Sequence, residues 1–298
     1  MVTRRGKQGA TLGSWRQWPR RWWRGVRRVV RNLRQGPRRM VAHAYPPGTL
    51  LFRCNVCGAR CASPVAQLTR EGSSCPACHS TVRWRAVVAT LSQAVYGVSL
   101  ALPDFPVRKD LVGVGLSDWE GYAVRLKEKF SYRNTFYHQE PRLDICRIDL
   151  SMEGTLDFLI ASDVFEHVVP PVGVAFRNAW RLLKAGGVLV LTVPYTTTGE
   201  ATREHFPELL DYHLEVGEGG APVLVNRTID GRVQEFRGLE FHGGAGWTLE
   251  MRVFSEASVL AALREAGFVG VRIHHEPDLV HGIYWNEVDS LPISARKA

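Results

Sequence analysis

Two Cys-x-x-Cys pairs, Cys54-Asn55-Val56-Cys57 and Cys75-Pro76-Ala77-Cys78, are the plainest chemical signal in the chain. They are separated by 17 residues, a spacing that lets four thiolates close tetrahedrally on Zn2+. A complete shell of four thiolates leaves no open coordination position, so the expected metal is structural and shapes a surface. Cys61 and His79 are spare ligands able to replace a knuckle cysteine. Five of the six cysteines fall within residues 54–78, which suits metal binding in a reducing cytoplasm better than a disulfide framework. Arg53, Arg60, Arg70, Arg83 and Arg85 fall in or beside the cluster, where they could read RNA or hold an anionic substrate.

A second group of reactive side chains follows the apolar run TLDFLIAS, in Ser162-Asp163-Val164-Phe165-Glu166-His167. His167 is the candidate general base, because an unperturbed imidazole titrates near neutrality. The alternative is structural, with His167 bonded to local backbone and Glu166 fixing the loop. His205, His213 and His242, with Tyr195 and Tyr212, fall in or beside residues 196–250 and are candidates for an acceptor pocket. Gly243-Gly244-Ala245-Gly246 lacks a following Lys-Ser/Thr and reads as a turn, not a phosphate loop.

The elements that must position these residues alternate as an α/β sheet demands. DLVGVG (110–115) reads as a buried strand, SDWEGYAVRLKEKF (117–130) as a helix capped by Ser117, and NTFYHQ (134–139) as a second strand. TLDFLIAS (155–162) is a strand, PVGVAFRNAWRLLKAGG (171–187) a helix, and VLVLTVPY (188–195) a buried strand. FSEASVLAALREAGF (254–268) is a helix capped by Ser255 and stopped by Gly267, and VGVRIHH (269–275) a late strand. Residues 196–250 interrupt the alternation with a hairpin turning at Asp230-Gly231. The expected organisation is a basic arm (1–48), a zinc ribbon (49–82), a linker helix (83–108) and an α/β domain (109–298) with an insertion at 196–250.

From Leu156 to Tyr195, the sequence LDFLIASDVFEHVVPPVGVAFRNAWRLLKAGGVLVLTVPY resembles the central segment of class I S-adenosylmethionine-dependent methyltransferases. Phe254 to Phe268, ending in Ala-Gly-Phe, resembles that family's late helix, and the resemblance spans roughly residues 110–275. Together with the Cys-x-x-Cys pairs, the run SDWEGYA…NTFYHQEPRLDI is similar to a zinc-ribbon subgroup associated with surface-glycan assembly. The resemblance implies a Rossmann-like sheet with S-adenosylmethionine across the carboxyl ends of its strands, where strand order reverses. It implies that Gly113 and Gly115 let the first loop approach the cofactor, with Asp118 reaching its ammonium group. Glu140 then corresponds to the ribose-binding carboxylate, Asp144 to the acceptor of the adenine amino group, and Ser162 and Asp163 face the methyl donor. The usual acidic-x-Gly-x-Gly-x-Gly loop is absent; Gly113-Val114-Gly115-Leu116-Ser117-Asp118 stands in its place.

Charge is unevenly spread. Residues 1–70 hold 16 Lys/Arg and no Asp/Glu, whereas the remainder holds 22 against 29. Residues 20–34 place Trp22, Val26, Val29, Val30 and Leu33 at helical spacing opposite arginine. Such a helix could lie on an anionic membrane surface, grip RNA or dock on its own protein, and the sequence leaves the three open. No run of about 18 apolar residues exists to span a bilayer. The functions left standing are methyl transfer to a polar small-molecule or glycan acceptor, in the cytoplasm or at the inner membrane face; RNA methylation; and non-enzymatic docking on a methyltransferase fold.

Overall fold

A computed structural model describes residues 45–199, 201–242 and 248–298. The amphipathic stretch at 20–34 and the glycine turn at 243–246 lie outside the described residues.

The chain from Pro46 to Ala298 forms one unit. It begins with an antiparallel hairpin, β1 (Thr49–Arg53) and β2 (Arg60–Pro64). Helix α1 (Val82–Tyr96) follows, with the Thr81 hydroxyl accepting the Trp84 amide and Gly97 closing the helix in the left-handed region. This helix is more than a linker: its residues Val82, Val87, Val88 and Leu91 are buried, and it packs on β6 (Leu183–Thr192) and β16 (Ile293–Lys297).

The central sheet also contains β3 (Arg108–Leu116), β4 (Phe130–Thr135), β5 (Leu156–Ser162) and β15 (Phe268–Ile273). Its order is β15-β16-β6-β5-β3-β4. The four strands from β6 to β4 run parallel, and β16 is antiparallel to both neighbours. Helices α2 (Glu120–Lys129), α3 (Gly173–Leu182) and α4 (Glu256–Glu265) complete the scaffold.

Side chains alternate across a strand, so one apolar run supplies two cores. Leu159 and Ala161 of β5 join Phe176 and Ala179 of α3 and Val259 and Leu263 of α4. Phe158 faces the other way, 5.1 Å from the Phe130 ring and 6.1 Å from that of Tyr132. The parallel crossovers through α2 and α3 lead outward in opposite directions from β3 and β5, as right-handed connections require for helices on opposite faces.

Several boundaries differ from expectation. Ser117 does not cap α2; its φ is +56° in the loop that follows β3, and Trp119 precedes the helix. The second strand ends at Thr135, not Gln139, because Phe130 and Tyr132 supply its buried face. Helix α3 stops at Leu182, and Leu183 already pairs with Leu156 of β5. Strand β16 is an element that the sequence does not announce, since LPISARK carries little periodic signal.

The insertion holds β7 (Tyr195–Thr196), β8 (Arg203–Glu204), β9 (Asp211–Val216), β10 (Pro222–Arg227), β11 (Val233–Phe236), β12 (Phe241–His242) and β13 (Thr248–Leu249), and leads into β14 (Arg252–Ser255). The expected hairpin is β10–β11, and it turns at Gly231. A small core of Phe206, Leu224, Leu249 and Met251 holds the insertion together. No helix among the described residues is long and apolar enough to cross a membrane.

Candidate functional site

A cavity of about 1870 Å³ opens at the carboxyl ends of the parallel strands. Leu116 at the end of β3, Thr135 at the end of β4 and Ser162 at the end of β5 all line it. Strand β4 lies on one side of β3 and β5 on the other, so the cavity sits where strand order reverses, the ligand-binding position of open α/β sheets. Its volume exceeds the several hundred Å³ usual for one small ligand.

The first loop is shaped from beneath. A Cβ on Gly113 would come within 2.0 Å of the Phe158 ring, and one on Gly115 within 2.1 Å of the Asp118 carboxylate. Both glycines are therefore required by the side chains packed against them. The buried Asp118 carboxylate accepts hydrogen bonds from the Tyr122 hydroxyl at 2.7 Å and the Tyr132 hydroxyl at 2.5 Å. Asp118 lines the cavity with these partners already in place.

Burial pushes the Asp118 carboxyl up to about 7 against the two tyrosine hydrogen bonds. A raised folded-state pKa favours the protonated form in the fold. Stability is thus full below the unfolded value of 3.8 and declines as pH rises towards about 7, by about 4 kcal/mol in total. Replacing Asp118 by Asn is expected to flatten the pH dependence of the urea midpoint across that window; equal slopes in both proteins would count against this assignment.

Of the acidic candidates beyond β4, Asp144 lines the cavity and accepts the Cys146 amide at 2.9 Å. Glu140 does not reach the wall: it is exposed, and its carboxylate accepts the Arg142 amide at 2.9 Å. Because β4 ends at Thr135, the chain has already left the strand end before Glu140.

Ser162 and Asp163 meet the arginines of the N-terminal region. Arg70 bonds both Asp163 carboxylate oxygens at 2.8 and 3.0 Å. Arg83 lies 3.2 Å from the same carboxylate and donates to the Ser162 hydroxyl at 2.8 Å. Although burial opposes ionisation, these guanidiniums hold Asp163 down at about 2. Next to Arg83, the Trp84 ring stacks on Trp119 at 4.0 Å. The cysteine hairpin and α1 therefore build one wall of the cavity, an arrangement the sequence does not reveal.

The cysteine cluster is tight. The Sγ atoms of Cys54, Cys57, Cys75 and Cys78 lie within 4.8 Å of one another, with Cys54 to Cys78 and Cys57 to Cys75 both at 3.7 Å. A tetrahedral zinc with bonds of about 2.3 Å sets sulfurs about 3.8 Å apart, so the four residues fit the metal. Cys61 Sγ is 3.6 Å from that of Cys75, whereas His79 belongs to no such group among the described residues. Fully buried Arg85 donates to Ser80, Ser74 and Gly282 and makes no carboxylate ion pair among the described residues. Burial lowers its pKa, and the neighbouring Cys54 and Cys75 oppose that fall.

Beyond Asp163 in the same loop, the His167 Nδ1 is 3.0 Å from the Leu249 carbonyl, and its Nε2 is 3.1 Å from His242 Nδ1. His242 Nε2 lies 3.2 Å from Glu250, which also meets His205 at 2.9 Å. Burial lowers the His167 pKa, which keeps the imidazole neutral near pH 7. Glu166 is fully buried and neither carboxylate oxygen has a hydrogen-bond partner; burial first, then Asp163, raises its pKa well above the usual range. Buried Arg252 donates to the carbonyls of Phe165 and Val168 and pairs with Glu204 at 2.7 Å, fixing this loop to the insertion.

Among the insertion candidates, His242 and Tyr212 line the cavity, whereas His213 is exposed and paired with Glu215 at 2.7 Å. Tyr195 is buried. Sequence reasoning missed Glu250 and Trp84, since neither sits in a motif.

Residues 116–191 match the family described as a methyltransferase domain. No curated protein matches the sequence. Similar solved structures include the 1,6-didemethyltoxoflavin-N1-methyltransferase of Burkholderia thailandensis with bound 1,6-didemethyltoxoflavin and S-adenosylhomocysteine. It is 15% identical over 70% of this chain and 76% of its own, with a TM-score of 0.39. The sugar N-methyltransferase KedS8 of Streptoalloteichus is 14% identical over 73% and 87% of the two chains, with a TM-score of 0.40. An S-adenosylmethionine-dependent methyltransferase of Mesorhizobium loti is 15% identical over 74% and 100%, with a TM-score of 0.38.

Proposed function

We propose that this methyltransferase moves the methyl group of S-adenosylmethionine to a polar, hydroxyl-bearing acceptor of the sugar class. The observation that carries the reading is the cavity at the strand-order reversal, within the segment that matches the methyltransferase domain. The cofactor is assigned to the side formed by the first loop, Asp144, Ser162 and Asp163, with Gly113 and Gly115 shaping that loop from behind. S-adenosylmethionine supplies an electrophilic methyl carbon on a sulfonium.

Methyl transfer is an in-line displacement, so the chain's main contribution is to align the acceptor oxygen with that carbon and keep water out. The acceptor is assigned to the side of Glu166, His167 and His242. Its hydroxyl proton must leave as the oxygen attacks. His167 Nε2, whose partner Nδ1–H is held by the Leu249 carbonyl, offers the lone pair that would take that proton. Zinc is assigned to Cys54, Cys57, Cys75 and Cys78 as a structural ion, which requires a reducing compartment such as the cytoplasm.

Calorimetric titration with S-adenosylhomocysteine tests the cofactor side. The folded chain should bind it, Asp144→Ala should weaken binding tenfold or more through loss of a charged hydrogen-bond acceptor, and Glu140→Ala should change it little. Absence of binding by folded, zinc-loaded protein would overturn the reading.

A further inference from the structure

We propose that Glu166, His167 and His242 form a second metal site, distinct from the cysteine cluster, that holds a divalent ion on the acceptor wall of the cavity. The ligand atoms of these three residues lie within 4.8 Å of one another.

The contacts around the two imidazoles admit an arrangement in which their lone pairs face each other. A backbone carbonyl can only accept, so the contact with Leu249 requires the proton on His167 Nδ1. Glu250 lies 3.2 Å from His242 Nε2, so the tautomer of His242 with its proton on Nε2 directs that N–H to a carboxylate. In that tautomer His167 Nε2 and His242 Nδ1 are both lone-pair atoms 3.1 Å apart; in the other, His242 Nδ1–H donates to His167 Nε2 and a metal would displace that proton. Two lone-pair atoms so placed repel unless a cation lies between them. Nitrogens bound to one metal at about 2.0–2.1 Å stand about 3 Å apart, so the observed separation already suits ligands to a common ion.

Glu166 supplies the third ligand and the charge. Neither solvent nor any side-chain donor reaches it: its relative exposure is 0%, both oxygens lack hydrogen bonds, and Oε1 lies 3.7 Å from His167 Nε2. A buried carboxylate without a donor is costly, and a metal ion satisfies it directly. The outer contacts also match a metal centre, in which each ligating histidine donates its other N–H to a carbonyl or carboxylate. Arg252 holds the Phe165–Val168 loop from below, so Glu166 and His167 are set before any ion arrives.

Two imidazoles and one carboxylate suit ions such as Zn2+ or Mn2+, and three protein ligands leave positions open. All three residues line the cavity. An acceptor with vicinal hydroxyls would fill those positions and present one oxygen, its proton acidified by the ion, towards the methyl donor; this last role rests on the transfer reading above. His167 then acts as a metal ligand, and the proton released by the acidified hydroxyl passes to bulk water.

The test is metal content per chain after incubation of the zinc-loaded full chain with excess Mn2+ and gel filtration. Wild type should carry one ion beyond that of the thiolate cluster, and His242→Ala and Glu166→Gln should each lose that ion alone. His242 is exposed, so its variant keeps the fold and remains informative if Glu166→Gln does not. No extra ion in wild type, or an extra ion retained in His242→Ala, overturns the site. S-adenosylhomocysteine titration of the same samples separates the two readings: cofactor binding without the extra ion sinks the metal site alone, and the extra ion without cofactor binding sinks the transfer reading alone.

Discussion

Cys75→Ser, or removal of zinc by a strong chelator, is expected to leave the protein without a cooperative thermal transition. Structural zinc in small modules contributes about 10–16 kcal/mol at neutral pH, which matches or exceeds the about 5–15 kcal/mol by which whole domains are stable. Here the effect should not stay local. The hairpin that presents the first knuckle is five residues a strand, too short to stand alone, and the same region delivers Arg70 and Arg83 to Asp163. Arg85 would lose its thiolate counter-charge while remaining buried. Zinc analysis and calorimetric melting of the same samples check this: one thiolate-bound zinc lost together with the transition supports the assignment. A zinc-free chain melting as the wild type does would remove the metal from the account of the fold.

Asp163→Asn should cost about 3 kcal/mol, because it takes the buried carboxylate from two guanidiniums and leaves them only the half-exposed Glu71. Arg70, Arg83 and Asp163 side chains are only 25%, 14% and 17% exposed, so this is not a screened surface pair. In a domain of this size the loss corresponds to a fall in melting temperature of roughly 10 °C. The pH dependence has a definite sign. The folded pKa of Asp163, near 2, lies below its unfolded value of 3.8, so its contribution is present above about pH 4 and lost as pH falls towards 2. Asp163→Asn should therefore lose stability at neutral pH yet lose less than wild type on acidification. A change below about 1 kcal/mol, the usual worth of exposed ion pairs, would show that Glu71 alone suffices for the two arginines.

Local pattern carried far in this chain. The runs at β3 and β5 and the helix between Ser255 and Gly267 are legible because a buried strand must be apolar and a helix end must satisfy its free amides. Cys-x-x-Cys spacing is equally local, since each knuckle closes within four residues. Misplaced boundaries arose where tertiary pairing overrode propensity: Phe130 and Tyr132 start β4 because their rings meet Phe158, and Leu183 leaves α3 because Leu156 pairs with it. Strand β16 depends on the slot between β6 and β15, and no residue of its own announces it.

By itself, then, the sequence determined the knuckles, the alternating α/β core and the loop Ser162–His167 at the end of a buried strand. Only the tertiary structure decided what those residues face. It brought Arg70 and Arg83 to Asp163 across 93 and 80 positions of sequence, set His242 and Glu250 beside His167, and carried Glu140 away from the cavity while keeping Asp144 on its wall. Spacing reports contacts made within one strand or turn. Charge pairing and imidazole convergence between distant segments depend on distances that only the packed chain fixes.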